Sequence, residues 1–281
     1  MKQETIEKGD LSYAPCRYGA SRMLFRGPRK RLDLPYIAFI GGTETYGKFI
    51  EKPFPYLVEK AMRQTCVNFG CVNGGIDVFV HDPTVIDICH NAELTVIQVM
   101  GAQNLSNRFY SVHPRRNDRF LRPSSVLQAI YQDVDFSEFA FTRHMLSALH
   151  TKSIERFETV VEELRQAWMA RMKNLISQIG HRCILLWFSE DKLTDDHWSD
   201  RPGQLQVDPL FITASMIDAL RDHVRDVVIA NPSDAAIARN TIGMHFPESQ
   251  FKVASEMLGV DCHLDASMAL IPRIREQLYT L

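Results

Sequence analysis

The sequence predicts a three-layer α/β/α sandwich built on a mainly parallel, five-stranded sheet. Five short runs, at 36–40, 65–69, 94–100, 183–188 and 227–230, are almost wholly apolar and end at turn residues. That is the pattern of strands buried on both faces. Long intervals separate the runs, as crossovers between parallel strands require. One interval holds a strongly periodic helix at 153–179, in which Phe157, Val161, Leu164, Trp168, Met172, Leu175 and Ile179 share one face. Ser153 is placed to cap it and Gly180 to end it.

Taken in order, residues 1–35 are polar and then basic, with Arg17, Arg22, Arg26, Arg29, Lys30 and Arg31 interleaved with Tyr13, Tyr18 and Phe25. They read as an irregular basic arm. The first strand, 36–40, runs into Gly41 and Gly42, and 54–62 reads as the first helix. Strands at 65–69 and 94–100 follow. Residues 105–151 are too long and too arginine-rich for a plain connection, and their aromatic content argues for a folded cap with a helix at 136–149. After the long helix come a strand at 183–188, a polar loop at 193–203, a helix at 209–222 and a strand at 227–230. Helical regions at 248–258 and 271–281 close the chain. The order is β, α, β, β, α, β, α. With 281 residues and 45% hydrophobic content, residues 36–281 suffice for one α/β/α domain, with the cap inserted at about 105–151.

A formal charge of -2 argues against a general nucleic-acid-binding surface. No run is long and apolar enough to span a bilayer, and MKQETIEKGDL carries no apolar leader. These features point to a cytoplasmic protein with neither nucleic acid nor membrane as partner. The six cysteines show no C-x-x-C spacing, so they read as reduced thiols, without a zinc site or another bound metal.

The turn after the first strand carries the chemical signals. Gly42, Gly47 and Lys48 have the G-x-x-x-x-G-K spacing of a phosphate loop. Phe49 stands where a magnesium-binding hydroxyl belongs, and Pro53 and Pro55 crowd the helix that should follow. A phosphate-loop, sulfotransferase-like transferase is the reading that this spacing keeps open.

Gly41-Gly42-Thr43-Glu44-Thr45-Tyr46-Gly47 also resembles the first block of the SGNH, or GDSL, hydrolases, with Thr43 in the place of the nucleophile. Asn68-Phe69-Gly70 with Gly74 is similar to the second block. Gly101-Ala102-Gln103-Asn104 is similar to the third, and Met244-His245-Phe246-Pro247 to the last. The resemblance covers about 35–258 and implies the same flavodoxin-like sandwich, with no cofactor. It implies an esterase or acyltransferase in which Thr43 attacks and His245 is the base. The oxyanion donors would come from Thr43, from Gly70 or Gly74, and from the side chain of Gln103 or Asn104. Three departures bear on turnover. Thr replaces Ser, Gly42 replaces the block's Asp, and Ile242 stands where an Asp should orient the imidazole.

In the cap, Arg108, Arg115, Arg116 and Arg119 follow the third strand. Planar guanidinium groups suit carboxylate, sulfate or phosphate, so a polar anionic or carbohydrate ligand is the partner expected here. The alternative to an enzyme is a catalytically degenerate protein that binds such a ligand in the same crevice. Most of the chain is also similar to an uncharacterised alphaproteobacterial family, a domain of unknown function.

Overall fold

The computed structural model describes residues 11–200, 204–206 and 208–279. The first ten residues of the arm, residues 201–203 of the polar loop and the last two of the expected closing helix lie outside them. The strands are β1 (Tyr36–Ile40), β2 (Thr65–Asn68), β3 (Leu94–Gln98), β4 (Tyr110–His113), β5 (Arg116–Pro123), β6 (Cys183–Phe188) and β7 (Asp226–Ala230). Five of them form one sheet in the order β2-β1-β3-β6-β7, and every pairing in it is parallel. Counting only these five, the order is 2-1-3-4-5, which is doubly wound and reverses direction between β1 and β3.

Alternation within each strand feeds two cores. Ala38, Ile40, Val67, Ile97, Leu185 and Trp187 face one layer. Ile37, Phe39, Val96, Ile184, Leu186 and Val228 face the other. After β1 come α1 (Thr43–Tyr46) and α2 (Phe54–Met62). The two prolines open α2 instead of breaking it, since Pro53 is its N-cap and Pro55 sits in its first turn, where no backbone donor is needed. Between β2 and β3 lie α3 (Asp77–Val80) and α4 (Pro83–His90), which the β, β reading of this stretch omitted. Asp82 caps α4 by accepting from Thr84 and Val85. With the long helix at Ile154–Ile179, α3 and α4 cover the first core.

The cap is more than a helix. β4 and β5 pair antiparallel as a hairpin, and α5 (Ser125–Ile130) follows it. The expected helix at 136–149 begins only at α6 (Thr142–Lys152), preceded by a 3-10 turn at Phe136–Glu138. α7 (Ile154–Ile179) is capped by Ser153 and stops at Gly180. Its Trp168 Nε1 donates to the Met100 carbonyl at 2.7 Å, tying it to the end of β3.

Residues 209–222 are not one helix. The Ala102 amide donates to the Leu210 carbonyl, Arg165 donates to that of Phe211, and Phe211 takes a φ of 66°. This strap is spent on long-range bonds, so α8 (Ala214–Asp218) starts only where Thr213 caps it. After α9 (Asp234–Ala238), the region 248–258 is a 3-10 turn and the short α10 (Phe251–Ser255). The closing helix α11 (Val260–Tyr279) begins eleven residues earlier than the sequence predicts and contains Pro272. It packs with α2 over the second core. No helix among the described residues is long and apolar enough to cross a membrane.

The arm docks on the β2 side. Cys16 and Phe25 form an isolated antiparallel bridge, and Tyr18 and Phe25 both pack edge-on against Phe69. Arg26 donates to the carbonyls of Tyr46, Gly47, Ile50 and Glu51 at 2.6 to 3.0 Å, so the arm holds the loop that follows α1.

Candidate functional site

A crevice of about 540 Å³ opens at the carboxyl ends of β1, β3 and β6, where the reversal of strand order leaves loops diverging. Its floor is organised by Gln98, the last residue of β3, which is 4% exposed. Gln98 Oε1 accepts from the Gly42 amide at 3.0 Å, the Thr45 amide at 3.1 Å and the Thr45 hydroxyl at 2.5 Å. Its Nε2 donates to Glu44 at 2.8 Å. One amide thereby satisfies the first turn of α1. Gly41 makes room for this, since a Cβ there would lie 2.2 Å from the Thr45 hydroxyl and 2.5 Å from Gln98 Oε1.

Thr43 lines the crevice and is 9% exposed. Its hydroxyl accepts from the Asn73 amide at 2.9 Å and lies 3.4 Å from Asn73 Oδ1. Asn73 holds a φ of 54°, a left-handed conformation that Asn tolerates. Glu44 beside it is largely buried. Desolvation raises its carboxyl above the ordinary range, the Gln98 amide opposes this, and the charge of Asp208 adds to the rise.

Apart from the Thr43 amide, the expected oxyanion donors are engaged within the fold. The Gly70 amide donates to Asn68 at 2.8 Å, and a Cβ on Gly70 would strike the Tyr46 amide, so this glycine serves close packing against α1. The Gly74 amide donates to the Cys71 carbonyl at 2.9 Å. Gln103 Nε2 donates to Asp208 at 3.1 Å. Asn104 Nδ2 reaches the Asn73 carbonyl at 3.4 Å, while its Oδ1 accepts from Thr142 at 2.8 Å. Gln103 and Asn104 do line the crevice with Thr43.

His245 does not line it. Its amide donates to the Phe49 carbonyl at 2.8 Å, and its Nε2 faces Glu51 at 3.9 Å, with the side chain 48% exposed. Phe246 packs on Phe49 at 5.7 Å between ring centroids. Aromatic packing and a backbone bond thus hold this segment at Phe49, and His245 does not share the crevice lining with Thr43. His263, in the first turn of α11, is 1% exposed. Its Nδ1 accepts from the Phe54 amide at 3.2 Å, so it caps α2. The phosphate-loop spacing also goes unused: Lys48 Nζ lies 4.7 Å from the Phe49 ring centre, and the Gly42 and Thr45 amides are held by Gln98.

The four cap arginines lie outside the lining as well. Arg108 pairs with Glu163 at 2.9 Å and Arg119 lies over the Phe141 ring at 5.6 Å. Arg115 and Arg116 sit at the turn of the hairpin, both exposed. Arg143, near the start of α6, is the cation that lines the crevice, and it pairs with Asp208 at 2.7 Å. The sequence motifs assign no role to Glu44 and do not include Arg143, Gln98 or Asp208. Gln98 had a signal, being a lone amide in an otherwise apolar strand. Asp208 had none, because a strap far along the chain delivers it.

No curated protein matches the chain. Among solved structures, it is similar to a lipase, Lip_vut3, from a goat rumen metagenome, at 9% identity and a TM-score of 0.40, covering 84% of this chain and 96% of that one. It is also similar to a carbohydrate esterase family 2 enzyme with a carbohydrate-binding domain from Corynascus thermopiles (Myceliophthora fergusii). The values there are 10% identity, a TM-score of 0.45, and coverage of 90% and 69%. Over residues 1–278 the chain matches the model of a family described as a domain of unknown function, DUF6473, and it belongs to that family.

Proposed function

We propose that the protein binds a polar small molecule in this crevice and does not turn over esters through Thr43. One observation carries the reading: the glycine amides and the Gln103 side chain that SGNH-type acyl transfer would draw on are bonded within the fold, and the histidine expected as base is outside the crevice lining. Acyl transfer needs a hydroxyl beside a base and donors free to meet the developing oxyanion. Among the described residues the lining contains no histidine, lysine or cysteine, so none of these ordinary partners for a hydroxyl nucleophile faces Thr43 there. The dimensions suit a ligand, because small-molecule sites span roughly 300 to 1,000 Å³.

The sequence-based expectation of an anionic ligand rests on arginines that stand outside the lining, and the binding reading does not depend on them. Two measurements test it. Activated acetyl and longer acyl esters should hydrolyse at the same background rate with wild type, Thr43→Ala and His245→Ala. A panel of neutral, cationic and anionic polar molecules should give saturable thermal shifts that Ser255→Trp, which narrows the crevice from a lining position, abolishes. Ester turnover lost in Thr43→Ala would overturn the binding reading.

A further inference from the structure

Phe141 breaks two local rules at once. It lines the crevice at 45% exposure, and among the described lining residues no other large apolar side chain is exposed. Val99, Met100 and Phe188, which also line it, are buried. Single exposed apolar residues are ordinary on a protein surface, so exposure alone decides nothing. Phe141 is also the N-cap of α6, and its side chain makes no capping bond. Ser, Thr, Asp or Asn at that position would accept from the first free amides of the helix. The phenyl thus belongs to neither core and caps nothing, and residues that break local rules without serving the fold mark functional sites. Its placement is nonetheless fixed. Phe141 forms an antiparallel bridge with Arg119 of β5, the Phe120 amide donates to the neighbouring Ala140 carbonyl at 3.1 Å, and the Phe141 carbonyl accepts from the Met145 amide at 3.1 Å. The Arg119 guanidinium lies 5.6 Å from the ring centre and is outside the lining, so it backs the ring from beyond the crevice.

Resting on the reading of this crevice as a ligand site, we infer that Phe141 is its specificity-determining residue and that the ligand is a sugar without an anionic group, its ring laid against the phenyl. A phenyl face carries partial negative charge. It attracts C–H groups made positive by neighbouring oxygens, which a pyranose presents on its flatter side. A platform held by backbone bonds before the ligand arrives has little ordering left to lose on binding. The hydroxyls at the edge of a sugar ring are donors, and Asp118, two residues before Phe120 on β5, lines the same crevice as an acceptor. Arg143, the cation of the lining, is already paired with Asp208 at 2.7 Å, so the crevice favours a ligand that donates over an anion that accepts. A flat heteroaromatic base also stacks on a phenyl but brings fewer donors than a polyhydroxylated ring.

Saturation-transfer NMR, which reads weak binding, tests this on the full chain. The probes are the methyl glycosides of glucose, galactose and mannose, with sorbitol as an open-chain polyol, methyl glucuronide as an anionic sugar and adenosine as a stacking base. At least one neutral glycoside should bind saturably, with the strongest transfer to the C–H protons of one ring face, and about tenfold tighter than sorbitol or the glucuronide. Phe141→Ser should weaken that glycoside about tenfold while Tm stays at or above the wild-type value, because a serine hydroxyl can cap α6. A phenyl kept for the fold would instead give a lower Tm with glycoside affinity intact. Phe141→Leu, apolar but without a ring face, should weaken the glycoside likewise and keeps the test decisive if Phe141→Ser fails to fold. Phe141→Trp restores a face and should hold affinity within about threefold of wild type. No glycoside binding, equal affinity for sorbitol, preference for the glucuronide or adenosine, or a glycoside affinity untouched by the Ser and Leu variants overturns the inference. Binding of sorbitol, glucuronide or adenosine that Ser255→Trp abolishes and Phe141→Ser leaves intact would keep the crevice as a ligand site while removing the sugar. Binding of no probe at all would remove both readings.

Discussion

The two walls of the crevice are built on opposite principles. On the wall formed by the turn 41–47, polar groups close on one another: Gln98 takes three donors and gives one, Asn73 engages Thr43, and Arg26 reaches in from the arm to four carbonyls behind. The rest of the lining gathers the carboxylates of Glu190, Asp191, Asp208 and Glu256, with Arg143 paired to Asp208. The wall that looks chemical in sequence is the finished one. Capacity for a ligand lies on the other.

The strongest way to break this contrast is to remove the hub of the finished wall. Gln98→Leu leaves the Gly42 and Thr45 amides and the Thr45 hydroxyl without their acceptor and strips Glu44 of its donor. Each buried polar group left unpaired costs about 1 to 3 kcal/mol, and partial relaxation lets some find water. The expected loss is about 3 kcal/mol, with a clear fall in Tm. Chemical denaturation checks it, and a loss below about 1 kcal/mol would mean that the turn is held by its packing and not by this amide.

The same contrast explains what the sequence could and could not reveal. All five sheet strands were legible, because a buried parallel strand must be apolar on both faces and must stop at a turn. YIAFI and CILLWF match β1 and β6 residue for residue. The helix at 153–179 was legible from its periodicity and both ends, and Ser153 does cap it. The hairpin β4–β5 was not, since Arg116, Arg119 and Arg122 mask alternation in a strand with exposed positions. Motif order drew attention to Thr43, Gln103 and Asn104, which do share the crevice. It misled for His245 because a His-Pro-like block says nothing of the packing of Phe246 on Phe49 that draws the segment aside. Which amides are already satisfied is a property of the folded chain, and neither spacing nor residue type reports it.

A second test sharpens the contrast from beneath the finished wall, at His263. Burial, with a smaller contribution from the Arg26 charge, pushes its pKa down to about 3 from an ordinary 6.5. Because the folded value is the depressed one, the unfolded chain binds more protons between these two pH values. The stability contributed by the neutral ring is present above pH 6.5 and is lost as pH falls toward 3, by at most about 1.4 kcal/mol per pH unit. Lowering the pH from 6.5 to 5 should therefore cost wild type up to about 2 kcal/mol at this site. His263→Asn, which keeps an acceptor near the Phe54 amide but does not titrate there, should lose stability uniformly and show a flatter acid limb. Parallel stability curves for the two proteins would show that His263 is not what makes the fold acid-sensitive.

The smallest expected effect has the opposite sign and comes from Glu44, where the two walls meet. Desolvation chiefly, and then the charge of Asp208, raise its carboxyl above the ordinary 4.5, with the Gln98 amide opposing. For a group whose folded pKa is raised, the favourable contribution is complete below the unfolded value and is lost as pH rises through the folded one. At neutral pH the ionised carboxylate is therefore a cost to the fold. Glu44→Gln keeps an oxygen to accept from Gln98 and removes the charge, so it should leave stability nearly unchanged below pH 4.5 and raise it by about 1 kcal/mol at neutral pH. Guanidinium denaturation at the two pH values measures the difference. Residues kept at the expense of stability are commonly kept for function, and the accompanying expectation is weaker ligand binding in the same variant. A gain in stability with ligand affinity intact would place Glu44 outside the ligand's reach.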